Sequence, residues 1–519
     1  MKFVSIKIFV INFILLISGA IASAQDVQTK KVEILHANSL EYDESTGVKA
    51  KRLLGDVVFR HEDAYMFCDS AWFFDNSNTI QAYNNVRIKQ GDTILLVGKY
   101  LEYDGNSKIA KMRDSVVLKH NKSFLITDSL DYDRNLDMAY YFEGGKIYDG
   151  DNRLTSRRGY YYTKLKDYYA VDTVVLRNPQ YDIFSDTLRY NTESAISYFY
   201  GPTQIISDSN YIYCENGNYN TRTDEAAFSE NAWLRSGSNY LMGDSLYYDR
   251  KIRYGEAFKN VSVIDTVENL NAYGNYGYYF ENPRNAMLTD STFVIYVTDG
   301  DSVFMHSDTV YISVDTSDYK LIRAFYKVQV YKSDLQARCD SLVFYSKDSI
   351  AHMFFNPVVW SEKNQITADH IEVHFVNKNP ERFYLTGNAF SIERYDSLHF
   401  NQMKGRNIVG YMKEKKINKI DLFNDCQTVY FIVDEDTDEI VAMNKVVSSN
   451  MTILFKDDKI ENIWFYEKPD GETIPIEQIK YEKTLLKDFI WLDKYRPKSK
   501  FDIFEWKDIG TGDEVSLSQ

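Results

Sequence analysis

Apolar and polar residues alternate in short segments along most of this chain. The segments at 101–104 and 130–133 read Leu-Glu-Tyr-Asp and Leu-Asp-Tyr-Asp, and similar segments recur before and after them. Because successive residues of a strand point to opposite faces, the leucine and the tyrosine share one face, and the residue between them lies on the other. The pattern therefore predicts β-strands with one apolar face.

These segments recur with a period of about 29 residues. Asp128, Asp186 and Asp244, each of which precedes such a segment, are separated by equal intervals of two repeats. A second motif keeps the same period: a Gly, Asn or Asp pair followed by an apolar strand, as around Asn85 and Asn260. We expect tight turns between strands at these pairs. A fixed period predicts an all-β, elongated stack of repeats, in which each repeat completes its core against its neighbours.

The chain divides into four predicted parts. Residues 1–24 are predicted to be a signal peptide, because Lys2 and Lys7 precede or flank an apolar stretch and Ala22-Ser23-Ala24 provides a cleavage site before Gln25. An uncleaved anchor is the alternative, but the stretch is short for a membrane-spanning helix. Residues 25–400 hold the repeats, 401–470 continue the β body or cap it, and 471–519 hold a short helix and a polar tail.

Charge and composition narrow the range of partners. The chain carries a net charge of -15, and removal of the two signal-peptide lysines makes the exported chain still more acidic. An acidic chain repels phosphate backbones, so nucleic acid is not expected as a partner. The 42 tyrosines and 31 phenylalanines, against 8 prolines, favour strands over helices.

Three of the four cysteines share one position in the repeat. Cys68, Cys214 and Cys339 each come directly before the acidic residue that begins the Leu-x-Tyr segment of their repeat. Other repeats have a small residue at this position, such as Thr127. We expect these thiols to be reduced and unpaired, because equivalent positions of distant repeats lie farther apart than the roughly 7 Å that a disulfide spans. Cys426 lies beyond the clear repeats, and its position is not predicted.

The search for catalytic or metal-binding motifs is mostly negative. The sequence contains no nucleophile elbow, phosphate-binding loop or HExxH motif, so we predict neither an enzyme nor a cofactor. His370 and His374 are the one histidine pair worth testing. Four residues of strand span about 13 Å, so these two rings would share a face without sharing one ion, and no metal site is predicted.

Stacked β repeats leave two exposed strand edges, which proteins cover or use to pair with another strand. The repeated Leu/Tyr face has two interpretations. It either packs as an ordinary core or lines an apolar trough, in which acyl chains would gain about 0.8 kcal/mol for each buried methylene.

The bracket Ala/Ser/Thr-Asp-x-Leu-x-Tyr-Asp, followed by a Gly-Asp or Asn-Val strand, resembles the OstA/LptA repeat of lipopolysaccharide transport. The overall form is similar to the long OstA-like proteins of Bacteroidetes-type bacteria. The resemblance implies a twisted β-jelly roll, open at both ends, whose interior shields the acyl chains of lipopolysaccharide. It also implies end-to-end strand pairing with other Lpt-type proteins, in a bridge from the inner to the outer membrane.

Carried onto this chain, the resemblance places its lipid-binding residues on the apolar face of the repeats. The candidates are Leu40, Tyr42, Leu101, Tyr103, Leu130, Tyr132, Leu188, Tyr190, Leu246 and Tyr248, with Val57, Phe59, Val116 and Leu118 in second place. Two features depart from the family. The chain is much longer than a typical bridge protein, and its acidic surface fits a mode of binding in which only acyl chains enter.

The leading hypothesis is therefore a non-enzymatic lipopolysaccharide-transport bridge or chaperone. It is expected in the periplasm, either free or peripheral to the outer membrane, and self-association is a further expectation. The alternative is a structural β scaffold of the cell envelope, with a packed interior, edge-to-edge protein partners and no lipid cargo. A β-helical enzyme acting on polysaccharides is a third class. It would need acids that break the repeat and cluster on one face, and no such cluster is evident in the sequence.

Overall fold

The computed structural model describes residues 30–42, 50–207, 210–298, 301–414, 416–434, 437, 439–456, 459–480 and 483–509. The predicted signal peptide and residues 510–519 of the predicted tail lie outside the described residues. In the described part of the chain, no helix has the length and apolar character needed to cross a membrane. The described residues form two compact units, one within 30–121 and 126–139, and the other within 122–125 and 140–509.

Unit 1 consists of antiparallel strands joined by hairpins. Its strands are β1 (Glu33–His36), β2 (Ser39–Tyr42), β3 (Lys51–His61), β4 (Ala64–Phe74), β5 (Thr79–Gln90), β6 (Ile94–Asp104), β7 (Ile109–His120) and most of β8 (Ser123–Asp133), while β9 (Met138–Tyr141) is divided between the units. From β3 to β7 each strand pairs with the next along the chain. Two consecutive strands make up one sequence repeat.

Unit 2 contains the remaining strands. They are β10 (Gly145–Asp149), β11 (Asn152–Ser156), β12 (Arg158–Tyr162), β13 (Asp167–Asn178), β14 (Tyr181–Asn191), β15 (Ile196–Ile206), β16 (Asn210–Asn220), β17 (Glu225–Ser229), β18 (Trp233–Ser236), β19 (Asn239–Met242), β20 (Ser245–Asp249), β21 (Tyr254–Asp265), β22 (Leu270–Glu281), β23 (Arg284–Thr298), β24 (Asp301–Val314), β25 (Lys320–Lys332), β26 (Leu335–Tyr345), β27 (Ile350–Phe354), β28 (Val358–Ser361), β29 (Asn364–Thr367), β30 (His370–Val376), β31 (Asn379–Arg394), β32 (Phe400–Lys413), β33 (Lys416–Val433), β34 (Ile440–Lys456), β35 (Lys459–Tyr466) and β36 (Asp470–Pro475). The predicted all-β jelly roll of stacked repeats is confirmed.

Most of the Gly, Asn and Asp pairs of the second motif lie within long strands, where the prediction had placed turns between strands. Asn84 and Asn85 lie in the middle of β5 with positive φ angles of 63° and 50°, and the register between β4 and β5 shifts there. Asn and Asp tolerate this left-handed backbone better than other non-glycine residues, which explains their periodic use. Each such pair is a β-bulge, which bends the strand and increases its twist.

Two acidic residues flank the Leu-x-Tyr segment of a repeat, one before it and one after it, and they have different structural roles. The first acid lies at a bulge and accepts a hydrogen bond from the amide of the neighbouring strand's bulge, as Asp69 does from Asn85 at 2.8 Å and Asp244 from Asn260 at 3.0 Å. The second acid caps the hairpin that follows its strand. Asp133, for example, accepts hydrogen bonds from the backbone N–H groups of Asn135 and Leu136. The second acid therefore stabilises a turn, and the first one stabilises a bulge.

The C-terminal segment differs from the predicted short helix and polar tail. Isolated 3₁₀ turns occur at Ile476–Gln478, Asp493–Tyr495 and Asp502–Phe504. Residues 483–509, which we call the strap, pack along strands of unit 2, and Ile503 is fully buried. The buried amides of Gln329, Gln365 and Gln402 donate hydrogen bonds to strap carbonyl groups at 2.8 Å. The apolar residues of this segment do not recur at the spacing of a strand or a helix. The sequence therefore suggested a tail.

The cysteine position of the repeat is buried, as its small residues indicated. Cys68, Cys214 and Cys339 are at most 5% exposed, and burial raises the pKa of each thiol to about 12. Cys426, which the sequence left unplaced, is also buried, and burial raises its pKa to about 11. All four thiols are therefore protonated at neutral pH.

Candidate functional site

The interior of unit 1 is closed. Eight of the candidate lipid-binding residues belong to its strands β3, β6, β7 and β8, and their side chains are fully buried: Val57, Phe59, Leu101, Tyr103, Val116, Leu118, Leu130 and Tyr132. Leu40 and Tyr42 on β2 differ, because about half of each side chain is exposed. The repeated Leu/Tyr face of unit 1 is thus a packed core.

A buried polar cluster completes this core. His61 Nδ1 and the Tyr103 hydroxyl are 2.6 Å apart, and Arg134 donates to that hydroxyl at 2.8 Å and to Asp63 at 2.5 Å. His61 Nε2 lies 2.9 Å from the carbonyl of Lys30. Burial lowers the pKa of His61. The Tyr103 hydroxyl is therefore held in fixed hydrogen bonds, which favours a static interior in unit 1.

In the first part of unit 2 the interior is closed by tyrosines. The strand register aligns Tyr161, Tyr168, Tyr190, Ser197 and Tyr219 in one cross-strand row. All five are buried, and the rings of Tyr161 and Tyr168 stack with centroids 3.8 Å apart. The candidates Leu188 and Tyr190 belong to this closed part, as does Leu246, which is 4% exposed.

The same row opens from Tyr248 onward. The register continues it without a break through the following strands, and every member is half-buried or exposed. We call these residues the first ladder: Tyr248, Gly255, Tyr279, Ala286, Ile312, Ile322, Phe344, Ala351 and Val373. Tyr279 is 45% exposed, although it is aligned with the buried tyrosines of the earlier strands. The row closes again at Phe383, which is 8% exposed.

A second cross-strand row lies on the other side of the bulges from the first row, and its side chains also change from buried to half-exposed along the chain. It begins buried at Leu154, Leu176 and Ile183 and then becomes half-buried. The open part, the second ladder, contains Ile205, Ile212, Leu234, Leu241, Val263, Ala272, Val294, Met305, Val330, Ala337, Val359 and Ile366. Of these, only the small Ala272 and Ala337 are buried, with 9% and 4% of their surface exposed.

Both ladders lie on the core side of their strands. Ile312, Ile322 and Val373 of the first ladder pack against the same buried cluster as Val294, Met305, Val330, Val359 and Ile366 of the second. The cluster includes Val310, Ala324, Val328 and Cys339. Inward-facing apolar side chains that remain half-exposed define an open apolar channel in unit 2, which we call the trough.

Side-chain size explains why the interior opens here. In the closed part of unit 2, the first row consists mainly of tyrosines, whose rings fill the space. In the trough, the same row contains Gly255, Ala286 and Ala351, and three of its six larger members are aliphatic. No ladder residue carries a charge. The trough is therefore suited to a flexible apolar ligand.

Tyr248 is the only sequence-predicted candidate that lies in the trough. The others are buried in closed interiors, except for the exposed Leu40 and Tyr42. The sequence prediction missed the trough residues because it rested on the Leu-x-Tyr motif, which weakens after residue 250. A usable signal was present, because the alternating apolar pattern continues there while its large aromatic residues give way to Ala, Gly and aliphatic residues.

The family model of OstA-like proteins matches residues 29–186 and 183–237. This part of the chain belongs to the OstA-like family. The resemblance noted in the repeats is thus confirmed for the OstA-like segment, and the trough continues beyond it. Among solved structures, LptH from Pseudomonas aeruginosa, described as the LptA-homologous periplasmic component of a lipopolysaccharide transport device, is 14% identical. The match covers 27% of this chain and 97% of LptH, with a TM-score of 0.21. No curated protein matches the chain.

Proposed function

We propose that this protein is a non-enzymatic, periplasmic lipopolysaccharide-transport protein, and that its trough shields the acyl chains of the lipid between the inner and outer membranes. The observation that carries the proposal is the pair of half-exposed apolar ladders in a chain with an OstA-like segment. The repeat motif suggested a lipid-binding role for Leu101, Leu130 and their equivalents. Because these residues are buried in a closed interior, we assign that role to the trough residues instead.

The physical basis is the transfer of methylene groups out of water. Each acyl methylene that leaves water for an apolar surface gains about 0.8 kcal/mol, so a few chains in the trough would outweigh the entropy lost on binding. The ladders contain no cation that could pair with a lipid phosphate, and the chain as a whole is acidic. This supports a mode in which acyl chains enter the trough and the charged headgroup stays in solvent.

The terminal strands support end-to-end pairing with other Lpt-type β proteins or with a second copy. Within the described residues, β35 pairs only with β34, and its Trp464 and Tyr466 side chains are exposed. On β1 and β2, Leu35, Leu40 and Tyr42 are exposed in the same way. Strand edges with exposed apolar side chains are typical sites of strand addition.

The test is site-specific photo-cross-linking to lipopolysaccharide. A photoreactive phenylalanine analogue would replace either Phe344, a half-buried member of the first ladder, or its neighbour Tyr345. Tyr345 is the matched control, because it is adjacent in sequence, aromatic and 43% exposed, and its ring faces His352 on the outer side. The exported chain would be incubated with purified rough lipopolysaccharide, irradiated and analysed by immunoblotting for a lipid adduct.

We expect an adduct at position 344 and little or none at position 345. Equal labelling at both positions would indicate non-specific adsorption and overturn the trough assignment. Absence of an adduct at 344, with circular dichroism showing an intact fold, would favour the structural scaffold instead.

A further inference from the structure

A cluster of three histidines and one glutamate lies on the outer face of the trough strands. By the alternation of strand residues, Ala351 and Val373 face the trough, while His352, His370, Glu372 and His374 lie on the other side of β27 and β30. His352 is directly opposite Glu372 in the strand register, and His370 lies two pairs along, on the same face. None of these residues belongs to the lipid site.

The distances within the cluster match those around a bound metal ion. His352 Nδ1 lies 3.1 Å from His370 Nε2 and 3.5 Å from a carboxylate oxygen of Glu372. One potential ligand atom from each residue lies within 4.8 Å of the others, and this is the only such group among the residues the structure describes. Ligands about 2.1 Å from a tetrahedral zinc ion are about 3.4 Å from each other, so little movement is needed.

The surroundings also suit a metal site. The second carboxylate oxygen of Glu372 contacts His374 Nε2, which holds the carboxylate as partner groups around metal sites commonly do. The Phe354 ring stacks on both His352 and His370, with centroids 6.0 and 4.7 Å away. The side chains of His352 and Glu372 are 20% and 27% exposed, which leaves a route for an ion from solvent.

We propose that His352, His370 and Glu372 form a binding site for a divalent transition-metal ion of the zinc class, with a position left open for water or a partner's ligand. Two imidazoles and one carboxylate are a common zinc ligand set, whereas Mg²⁺ and Ca²⁺ prefer oxygen ligands alone. The ion would bridge β27 and β30 and stiffen this wall of the trough. His370 and His374 do not form the site together, as their spacing indicated; the partner of His370 is His352, on the adjacent strand.

The test is zinc binding by the exported chain after removal of metals with a chelator. Zinc would be titrated in competition with a chromogenic indicator, with Mg²⁺ as a comparison ion. We expect one Zn²⁺ per chain and negligible Mg²⁺ binding. His352→Ala and His370→Ala should each weaken zinc binding at least 100-fold, and His374→Ala about tenfold, because it only positions Glu372.

His399→Ala is the matched control. His399 also pairs with a carboxylate, Asp396 at 2.8 Å, but among the described residues it belongs to no group of three potential ligands, so zinc affinity should not change. Absence of stoichiometric zinc binding by the wild-type chain would overturn the proposal. So would unchanged affinity in a folded His352→Ala/His370→Ala double variant. Because these residues face away from the ladders, either result would leave the lipid proposal standing.

Discussion

The contrast between closed and open interiors predicts a large difference between two similar substitutions. Leu130 in unit 1 has no exposed surface, whereas Ile322 of the first ladder is half-buried. Leu130→Ala should lower the free energy of unfolding by about 3 kcal/mol or more, because it removes buried methylenes and leaves a closed cavity. Ile322→Ala should cost about 1 kcal/mol, because part of the side chain is already in water and the space it vacates opens to solvent.

Hydrogen exchange measured by mass spectrometry is the appropriate assay, because stability in a stacked protein is local. Amides of β7 and β8 should exchange much faster in Leu130→Ala, while β24 to β26 should change little in Ile322→Ala. Lipopolysaccharide, in turn, should slow exchange in β24 to β26 of the wild-type chain. If Ile322→Ala proved as destabilising as Leu130→Ala, the interior at Ile322 would be packed in solution, and the argument for a trough would fail.

Two further predictions concern the strap and the pH dependence of unit 1. Gln365→Leu should detach the strap, because it leaves the Leu492 N–H and the Trp360 indole N–H buried without partners at about 1–3 kcal/mol each. Faster exchange at 484–507 with unchanged exchange in β7 would show this. The pKa of His61 is lowered by burial, so unit 1 should lose stability as pH falls below about 6.5, where the histidine binds a proton only in the unfolded chain. Urea denaturation between pH 8 and 5 should show this loss, and His61→Gln should reduce it; an unchanged slope would contradict the assignment.

The sequence predicted the fold well because one physical pattern determines it. Alternating apolar residues and a fixed period require stacked strands, and both signals are strongest in the repeats before residue 260. The pairs such as Asn84 and Asn85 were placed correctly but interpreted wrongly. Asn and Asp favour the same left-handed backbone in a hairpin turn and in a bulge, and composition alone does not distinguish the two.

The candidate site was harder to predict, because burial depends on the space between strands as well as on the strand pattern. A Leu-x-Tyr segment looks the same whether its partners fill the interior, as around Tyr190, or leave it open, as at Tyr248. The pairing of His352 with His370 was also hidden. Their proximity depends on β27 pairing directly with β30, across the intervening strands β28 and β29.

The position of the strap resolves a difficulty in the stability of the trough. Strands that leave one face half-exposed bury less apolar surface and would be the weakest part of a stacked protein. The strap covers the opposite face of several of these strands. Trp360 and Val358 of β28 pack with Leu492 and Tyr495 of the strap, and Trp360 is fully buried. Ala337, Val359 and Ile366 of the second ladder lie on strands β26, β28 and β29. In these strands, the apolar surface buried under the strap offsets the apolar surface left exposed on the trough face. An open apolar interior can therefore be kept without lipid, provided that the strap stays in place.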